Sequence, residues 1–410
     1  MLLPFQNLPG RFEGEESVAG ACLQSDGFFF KFLSANETGA TGSHQAGFYI
    51  HRQAYWLFFP QPGKKGENSF RDIEIEWADG TVTSSRFTWY GKGNKSEYRI
   101  TKGLHFLGEE NTGDLLVLAR RADGFFKGFL LAQENSIEAF LEELSLNPSD
   151  SGQAFRIAGG AILAEEEQSE LNGFEQSLNE ALQDCLQNPD SPFPTADRLS
   201  SLARLQCDLF YRMDRMNLDD RLLRWLDMEF RIFRWLESRK YGDYLNHGFA
   251  VVEDLIQVAL TILNRRKARA GYGLELHLAH LFSMAGIPFS AQPKIEGNKR
   301  PDFLFPGDAE YCDPDFPPQR LTFLGVKTTC KDRWRQILSE ADRIGLKHLF
   351  TLQQGISKTQ MNEMKEAGVQ LVVPRPYHRM FPEHQRKDLM DLDSFVNYVR
   401  SLDSQELLFG

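Results

Sequence analysis

The spacing of apolar residues divides the chain into a strand-rich first part and a helix-rich second part. Up to residue 165, short runs of β-branched and aromatic residues alternate with Gly, Asn and Ser turns, a pattern typical of β-strands. The predicted strands are 28–33, 47–56, 72–77, 81–90 and 115–120. Strands of this length and spacing predict a barrel or a sandwich.

A boundary is predicted between the two parts. The segment 165–194 is acidic, rich in Gln and Asn, and ends in the string NPDSPFP, which is typical of a hinge. Part of it has helical spacing, at Leu171, Phe174, Leu178 and Leu182. We therefore expect a first domain over 1–165, an acidic linker over 166–194 and a second domain over 195–410.

The second part alternates helices and strands. Helical periodicity covers 196–240, 248–264 and 273–284, and further helices are predicted at 334–344 and 358–367, where Ser357 and Gln360 form a capping box. Short apolar runs predict strands at 301–305, 321–327, 348–352 and 369–373. This order predicts a mixed central sheet with helices on both faces, so the fold class is α/β plus a mainly β domain.

The charge distribution changes what the net charge suggests. A formal net charge of −11 argues against a nucleic-acid partner, because phosphate binding needs Lys and Arg. However, residues 134–190 hold thirteen acids against Arg156, which is −12 in one segment, and the rest of the chain sums to +1. Basic clusters lie outside it, at 86–103, 265–269 and 327–335. One such cluster is typical of a solvated face, but three together favour a nucleic-acid partner.

Other counts exclude several classes of protein. The five cysteines form no CxxC pair, which favours reduced thiols over a secreted disulfide framework or a zinc site. No signal peptide and no run of 18 apolar residues is recognisable, so we expect a cytoplasmic protein without a membrane span. No GxGxxG or Walker motif supports a nucleotide-dependent enzyme.

The candidate chemistry lies in the string RPDFLFP and in VKTTCKDRWRQILSEADR. Asp302 opens one strand, Lys327 ends the next, and Glu340 is expected on the following helix, with Glu275 on an earlier one. Carboxylates are the ligands that Mg²⁺ prefers, and a bound cation with a lysine can stabilise charge on a scissile phosphate. The pattern predicts a nuclease.

Each of these residues also has a structural interpretation. Asp302 can belong to an Asx turn and Lys327 to a solvated strand end. Glu340 can be an exposed helix acid, and Glu275 an acid near a helix N-terminus, where the helix dipole favours it. A PD…K pattern occurs by chance, and Gly325 stands where the generic nuclease motif has an acid.

Longer strings identify a family. SANETGATGSHQAGFYI, NRRKARAG, LELHLAHLF, EGNKRPDFLFP, VKTTCKDRWRQILSEAD and HLFTLQQG resemble the EcoRII family of type IIE restriction endonucleases, in the PD-(D/E)xK superfamily. The resemblance covers both halves and is weakest over 140–220. It implies a catalytic set of Asp302, Lys327 and Glu340 with Glu275 as an additional acid, Tyr311 near the site, and Mg²⁺ bound by Asp302 and Glu340.

The resemblance also implies DNA contacts in the second half. Lys331, Asp332 and Arg333 correspond to the element that reads the outer C·G pairs, and such side chains match the edges of guanine and cytosine. Phosphate contacts are expected from a basic group comprising Arg265, Arg266, Lys267, Arg269 and Arg335. The family flips its central base into a pocket with an arginine and an aromatic residue. Here Phe230 takes the aromatic position, Leu226 replaces the arginine, and Trp225 lies close by.

The first half resembles the effector-binding domain of the family, a pseudobarrel like plant transcription-factor DNA-binding domains. Two arms are implied to grip a second copy of the site. The first arm runs from Lys31 to Glu37 and includes Asn36, with His44 and Tyr49 nearby. The second arm runs from Lys95 to Arg99 and includes Glu97 and Tyr98. The resemblance implies a homodimer on double-stranded DNA at a CC/GG-framed palindrome (CCWGG or CCNGG-like), and a cognate DNA methyltransferase as a system partner that is not bound directly.

Two further hypotheses stay open. One is that the acidic segment 165–184 mimics DNA and blocks the catalytic cleft. The other is that the protein is a DNA-binding regulator with an inactive nuclease fold.

Overall fold

The first half of the molecule is one curled sheet with two helices. The computed structural model describes residues 17–40, 47–104, 106–158, 161–163, 168–186 and 193–404. The elements, in chain order, are α1 (Val18–Leu23), β1 (Gly27–Phe32), β2 (Phe48–Ile50), β3 (Asn68–Trp77), β4 (Val82–Tyr90), β5 (Glu97–Thr101), β6 (Leu115–Arg120), β7 (Phe126–Leu131), α2 (Glu134–Glu143), β8 (Ala154–Ala158) and β9 (Ala161–Leu163). The strand order is β2-β5-β4-β3-β7-β6-β1-β8-β9, and only β3 and β7 pair in parallel.

Strand β1 is buried on both faces of this sheet. Phe29 belongs to an apolar core on one face, while Phe28 and Phe30 belong to a second core on the other. The ring of Phe140, on α2, packs edge-on against both Phe28 and Phe30. Burying a phenylalanine stabilises a fold by about 1.5–3 kcal/mol, so these contacts fix α2 firmly against the sheet.

The second half contains long helices followed by a mixed sheet. The helices are α3 (Gln168–Ala181), α4 (Gln183–Leu186), α5 (Ala196–Phe210), α6 (Leu218–His247) and α7 (Val252–Met284). The later elements are β10 (Ser290–Ala291), β11 (Phe303–Phe305), α8 (Asp308–Cys312), β12 (Thr322–Lys327), β13 (Lys347–Thr351), α9 (Lys358–Glu366), β14 (Val369–Val372), α10 (Glu383–Arg386) and α11 (Leu392–Ser404). The sheet has the order β10-β11-β12-β13-β14, antiparallel as far as β12 and parallel beyond it. The predicted mixed sheet is confirmed.

Besides the helical stretch predicted over 196–240, which forms the two helices α5 and α6, three predicted elements differ from the structure. The strand expected at 47–56 is short, because the chain turns into the 3₁₀ helix Arg52–Leu57 after β2. The helices expected at 248–264 and 273–284 are one helix, α7, which continues through Gly271 and Gly273. Gly273 is needed there for close packing, since a Cβ would lie 2.2 Å from Glu229 Oε1 on α6. The third difference, at 334–344, concerns the site.

None of the helices in the described ranges is both long and apolar enough to cross a membrane.

Candidate active site at the edge of the mixed sheet

Strands β11 and β12 place Asp302 beside Lys327. Their antiparallel register pairs Phe303 with Leu324, so Asp302 lies just before β11, near the end of β12. The backbone N–H of Val326 donates to Asp302 Oδ2 at 2.7 Å and fixes that carboxylate. Burial raises the pKa of Asp302, and the positive charge of Lys327 opposes this rise. The structure therefore brings these two predicted residues together.

Glu340 reaches the same place from an extended segment. The predicted helix is wrong here, because a 3₁₀ helix (Arg333–Ser339) ends before Glu340, which has φ −101° and ψ 149°. Lys347 donates to the backbone oxygen of Glu340 and holds this segment. Burial and the negative charge of Asp302 raise the pKa of Glu340 to about 6. The charge of Lys327 opposes this rise, so the same lysine acts on both carboxylates.

The missing acid at Gly325 has a steric explanation. A Cβ at this position would lie 2.8 Å from Cγ2 of Ile337, on the 3₁₀ helix. A carboxylate side chain therefore has no room on this face of β12. The second acid has to come from elsewhere, and Glu340 lies three residues after Ile337.

Glu275 joins the cluster from α7. Gln292 Nε2 donates to Glu275 Oε2 at 2.5 Å. Burial, then the charge of Asp302, raises the pKa of Glu275. In the part of the chain that the structure describes, no group of three or more His, Cys, Asp or Glu side chains is arranged to hold a metal ion. A cation held at this edge would take its other ligands from water or from substrate, as Mg²⁺ commonly does.

Tyr311 acts on the segment that carries Glu340. Its hydroxyl donates to Glu296 Oε1 at 2.6 Å, and the same oxygen accepts the backbone N–H of Asp342 at 3.0 Å. Arg343 donates to the backbone oxygen of Tyr311. The buried tyrosine thus holds the chain just after Glu340. Glu296, which completes this contact, was not predicted from the sequence.

Acidic residues of the first half cover the basic segment that follows Lys327. Glu134, at the start of α2, accepts through Oε2 the backbone N–H groups of Lys331 (3.2 Å), Asp332 (2.8 Å) and Arg333 (3.0 Å). Burial by itself would raise the pKa of Glu134, but the N–H groups of Arg333 and Asp332 hold it below its usual range. Lys331 is only 6% exposed and forms an ion pair with Asp114.

Three more contacts complete this cover. The Arg333 guanidinium pairs with Glu134 at 3.1 Å and also with Glu138, while Thr329 donates to Glu138 at 2.8 Å. We call Asp114, Glu134 and Glu138 the acidic clamp. The charge pattern placed Glu134 and Glu138 in the acidic segment 134–190, but it did not indicate that they face Lys331 and Arg333.

The clamp is not the acidic segment that was expected. In the described residues 168–186, Glu175 pairs with Arg239 at 3.3 Å and Asp184 with Arg198 at 2.7 Å. The carboxylates on the basic segment come from α2 and from the end of the loop before β6. The carboxylates that cover the basic segment are therefore not those of the described residues 168–186, where the DNA-mimicking plug was expected. Glu165, Glu166 and Glu167, which also belong to that expectation, lie outside the described residues.

The expected phosphate contacts are mostly engaged within the protein. Arg265 donates to the hydroxyl of Tyr241, and Arg266 pairs with Glu237 at 2.9 Å. Arg335 forms an ion pair with Glu363. Lys267 is exposed.

Arg269 is a clear correction, because it lies in the interior at 5% exposure. Its guanidinium lies 3.6 Å from the ring centroid of Phe230, a cation–π contact, and its Nε has no hydrogen-bond partner among the described residues. Both residues, together with Leu226 and residues of α2, line a cavity of about 260 Å³. Trp225 is stacked on His277 instead, and it is not part of that lining.

The residues of the first effector arm are paired with one another. Lys31 is 5% exposed, forms an ion pair with Glu37, and donates to the backbone oxygen of Tyr49 at 3.1 Å. Glu37 also accepts the Tyr49 N–H at 2.7 Å. Asn36 is exposed, and His44 lies outside the described residues.

The second arm lies beside the first. The β2–β5 register places Tyr49 opposite Arg99, which pairs with Glu97 at 3.0 Å. Lys95 is exposed. Tyr98 is only 2% exposed, and its hydroxyl accepts the Gly63 N–H at 2.6 Å, so it belongs to the core of the domain.

Comparison with known proteins gives the same family for both halves. The family model of the EcoRII C terminal matches residues 233–396, and that of restriction endonuclease EcoRII, N-terminal, matches residues 23–149. The type II restriction enzyme EcoRII of Escherichia coli is 37% identical over 394 residues, which cover 91% of this chain and 94% of that protein. The type II restriction enzyme SsoII of Shigella sonnei is 28% identical over 128 residues, covering 29% of this chain and 41% of that protein.

Two solved structures are more distantly similar. The complex of restriction endonuclease PspGI with substrate DNA has 14% identity and a TM-score of 0.44, covering 53% of this chain and 96% of that chain. Metal-depleted Ecl18kI with uncleaved, modified DNA has 20% identity and a TM-score of 0.43, covering 57% and 84%.

Proposed function

Because the chain belongs to the EcoRII family of type II restriction endonucleases, we propose that it hydrolyses double-stranded DNA at a CC/GG-framed palindrome with the help of Mg²⁺. The observation that carries this proposal is the meeting of Asp302, Lys327 and Glu340 at one edge of the mixed sheet. Each carboxylate there has a raised pKa, and each feels the charge of the lysine.

The residues at this edge fit a hard divalent cation. Asp302 and Glu340 would hold it, since both offer carboxylate oxygens, the ligands that Mg²⁺ prefers, in a half-buried site. When bound, the ion supplies Lewis-acid stabilisation of the phosphate charge and a more acidic water.

The remaining chemistry belongs to the chain itself. Lys327 donates to the attacking water or to a phosphate oxygen and offsets the charge that develops in the transition state. The Val326 N–H keeps Asp302 in place, and Tyr311 with Glu296 keeps the Glu340 segment in place. Holding these groups in the reactive geometry before DNA arrives lowers the cost of reaching the transition state.

Recognition is proposed to use the segment that the acidic clamp covers. Lys331, Asp332 and Arg333 would read the outer C·G pairs once released. Arg269 over Phe230 would receive the central base, since the guanidinium compensates for the apolar Leu226. A homodimer would place one active site on each strand of the palindrome.

We further propose that the acidic clamp keeps the enzyme inactive until a second DNA copy binds. The Glu134 carboxylate occupies three consecutive backbone N–H groups, as a DNA phosphate would. With Lys331 and Arg333 also paired to clamp carboxylates, DNA cannot reach this segment without displacing α2.

A short path connects the first effector arm to the clamp. Leu33 lies between Lys31 and Glu37. Its backbone N–H donates to the backbone oxygen of Asp114 at 2.8 Å, and its backbone oxygen accepts the Gly113 N–H at 2.8 Å. DNA that separates Lys31 from Glu37 would move this segment and, with it, Asp114. The proposal is that effector binding releases Lys331 along this path.

The test is digestion of multi-site, unmethylated plasmid DNA with Mg²⁺ by the wild type and by Asp302→Ala. We expect cleavage by the wild type only, with DNA binding retained in the variant. Sequencing the cut ends then reads the site and the stagger together. DNA binding without cleavage by the wild type would instead support a regulator with an inactive nuclease fold.

A further inference from the structure

Gln292 connects two of the acidic residues of the proposed site. It directly follows β10, and its backbone N–H donates to the backbone oxygen of Asp302 at 3.0 Å. Its side-chain amide reaches α7, where Nε2 donates to Glu275 Oε2 at 2.5 Å. One residue thus joins the backbone of Asp302 to the carboxylate of Glu275.

The backbone of Gln292 is in an unfavourable conformation. Its φ is +47°, in the left-handed region that glycine adopts without cost and that costs other residues of order 1–3 kcal/mol. The residue is exposed, so burial of its side chain does not offset this strain. Glycine would suit this backbone better than glutamine. The glutamine side chain, however, donates the hydrogen bond to Glu275.

We propose that Gln292 is a positioning residue that holds the Glu275 carboxylate beside Asp302 in the orientation needed for cleavage. The inference rests on the proposed endonuclease function. The amide is neutral, so it orients Glu275 without reducing the negative charge available to a cation, and Lys327 remains the positive group of the site.

The decisive variant is Gln292→Gly, which removes the side chain and suits the backbone. We expect kcat for DNA cleavage to fall about tenfold, because the variant loses one charge-assisted hydrogen bond and a tenfold change corresponds to about 1.4 kcal/mol. KM for DNA should stay within about twofold, and the melting temperature should not fall. Asn298→Gly is the matched control, because Asn298 is also exposed with a positive φ of +59°, and we expect wild-type kcat there.

Two further measurements separate positioning from a general effect. Added to Glu275→Ala, Gln292→Gly should cause no further loss of kcat, because its partner is already absent. The Mn²⁺ affinity, read by electron paramagnetic resonance, should weaken several-fold in Gln292→Gly and stay unchanged in Asn298→Gly.

An unchanged kcat in Gln292→Gly, or a full additional loss in the double variant, would overturn the positioning role while leaving the endonuclease function standing. A wild type that cleaves no DNA would overturn the function itself. In that case the Mn²⁺ affinity would still test the positioning role of Gln292, and equal affinity in the wild type and Gln292→Gly would overturn it.

Discussion

Removing the Glu134 carboxylate should activate the enzyme on DNA that carries a single site. Glu134→Ala takes away the acceptor of four hydrogen bonds, from three backbone N–H groups and the Arg333 guanidinium, while the Thr329 hydroxyl keeps its bond to Glu138. Glu138 and Asp114 would remain on Arg333 and Lys331. The clamp would be weakened, and α2 would remain fixed to the sheet through Phe140.

The size of the effect follows from the burial of Glu134, which is 3% exposed. Removing one partner of a buried, hydrogen-bonded ion pair costs about 3–5 kcal/mol, because the other partner is left without compensation. Here water can solvate the N–H groups as the clamp opens, so we take the lower value of about 3 kcal/mol. This shifts the balance between closed and open forms about a hundredfold.

The measurement is the initial rate of cleavage of a one-site duplex, compared with a multi-site plasmid at the same Mg²⁺ concentration. In Glu134→Ala the one-site rate should rise by up to about a hundredfold, and the multi-site rate should change little. Glu134→Gln should give a smaller rise, since its amide oxygen can still accept the backbone N–H groups. Asn135→Ala, at an exposed position of the same helix, is the control.

A folded Glu134→Ala protein that cleaves multi-site DNA normally and one-site DNA at the wild-type rate would refute the clamp. That result would mean that the contacts of Glu134 do not limit access to the recognition segment.

Three other predictions concern single residues. Burial raises the pKa of Asp219 to about 7, so the folded protein binds this proton more tightly than the unfolded chain does. The free energy of unfolding should therefore fall as pH rises from about 4 to 7. In urea unfolding, Asp219→Asn should lose this pH dependence and be more stable than the wild type at pH 8. Tyr311→Phe should lower kcat about tenfold with unchanged DNA affinity, because the Glu340 segment loses one support; equal kcat would contradict this role. Gly325→Asp should not rescue Glu340→Ala and should cost about 1–3 kcal/mol in unfolding experiments, since its side chain meets Ile337; a rescued variant would show that the space exists.

Local pattern predicted the framework of the site well. Alternation and apolar runs placed Asp302 at the start of one strand and Lys327 at the end of the next, and the structure has both there. The periodicity of apolar residues and the positions of turn residues depend only on a few neighbouring residues, so they can be read directly from the sequence. The same reasoning failed at 334–344, where helical spacing predicted an α-helix and the segment is 3₁₀ with Glu340 extended. Packing of Ile337 against Gly325 outweighs local preference there.

By itself, the sequence determined the two-part fold, the family and the acidic–basic set at the sheet edge, because these depend on short-range spacing and on long matching strings. Only the tertiary structure decided what covers that set. Lys331 meets Asp114 across 217 positions of the chain, and Glu275 meets Gln292 through a turn with positive φ. Such contacts follow from how whole elements pack, and a net charge or a local motif contains no record of which carboxylate a lysine will face.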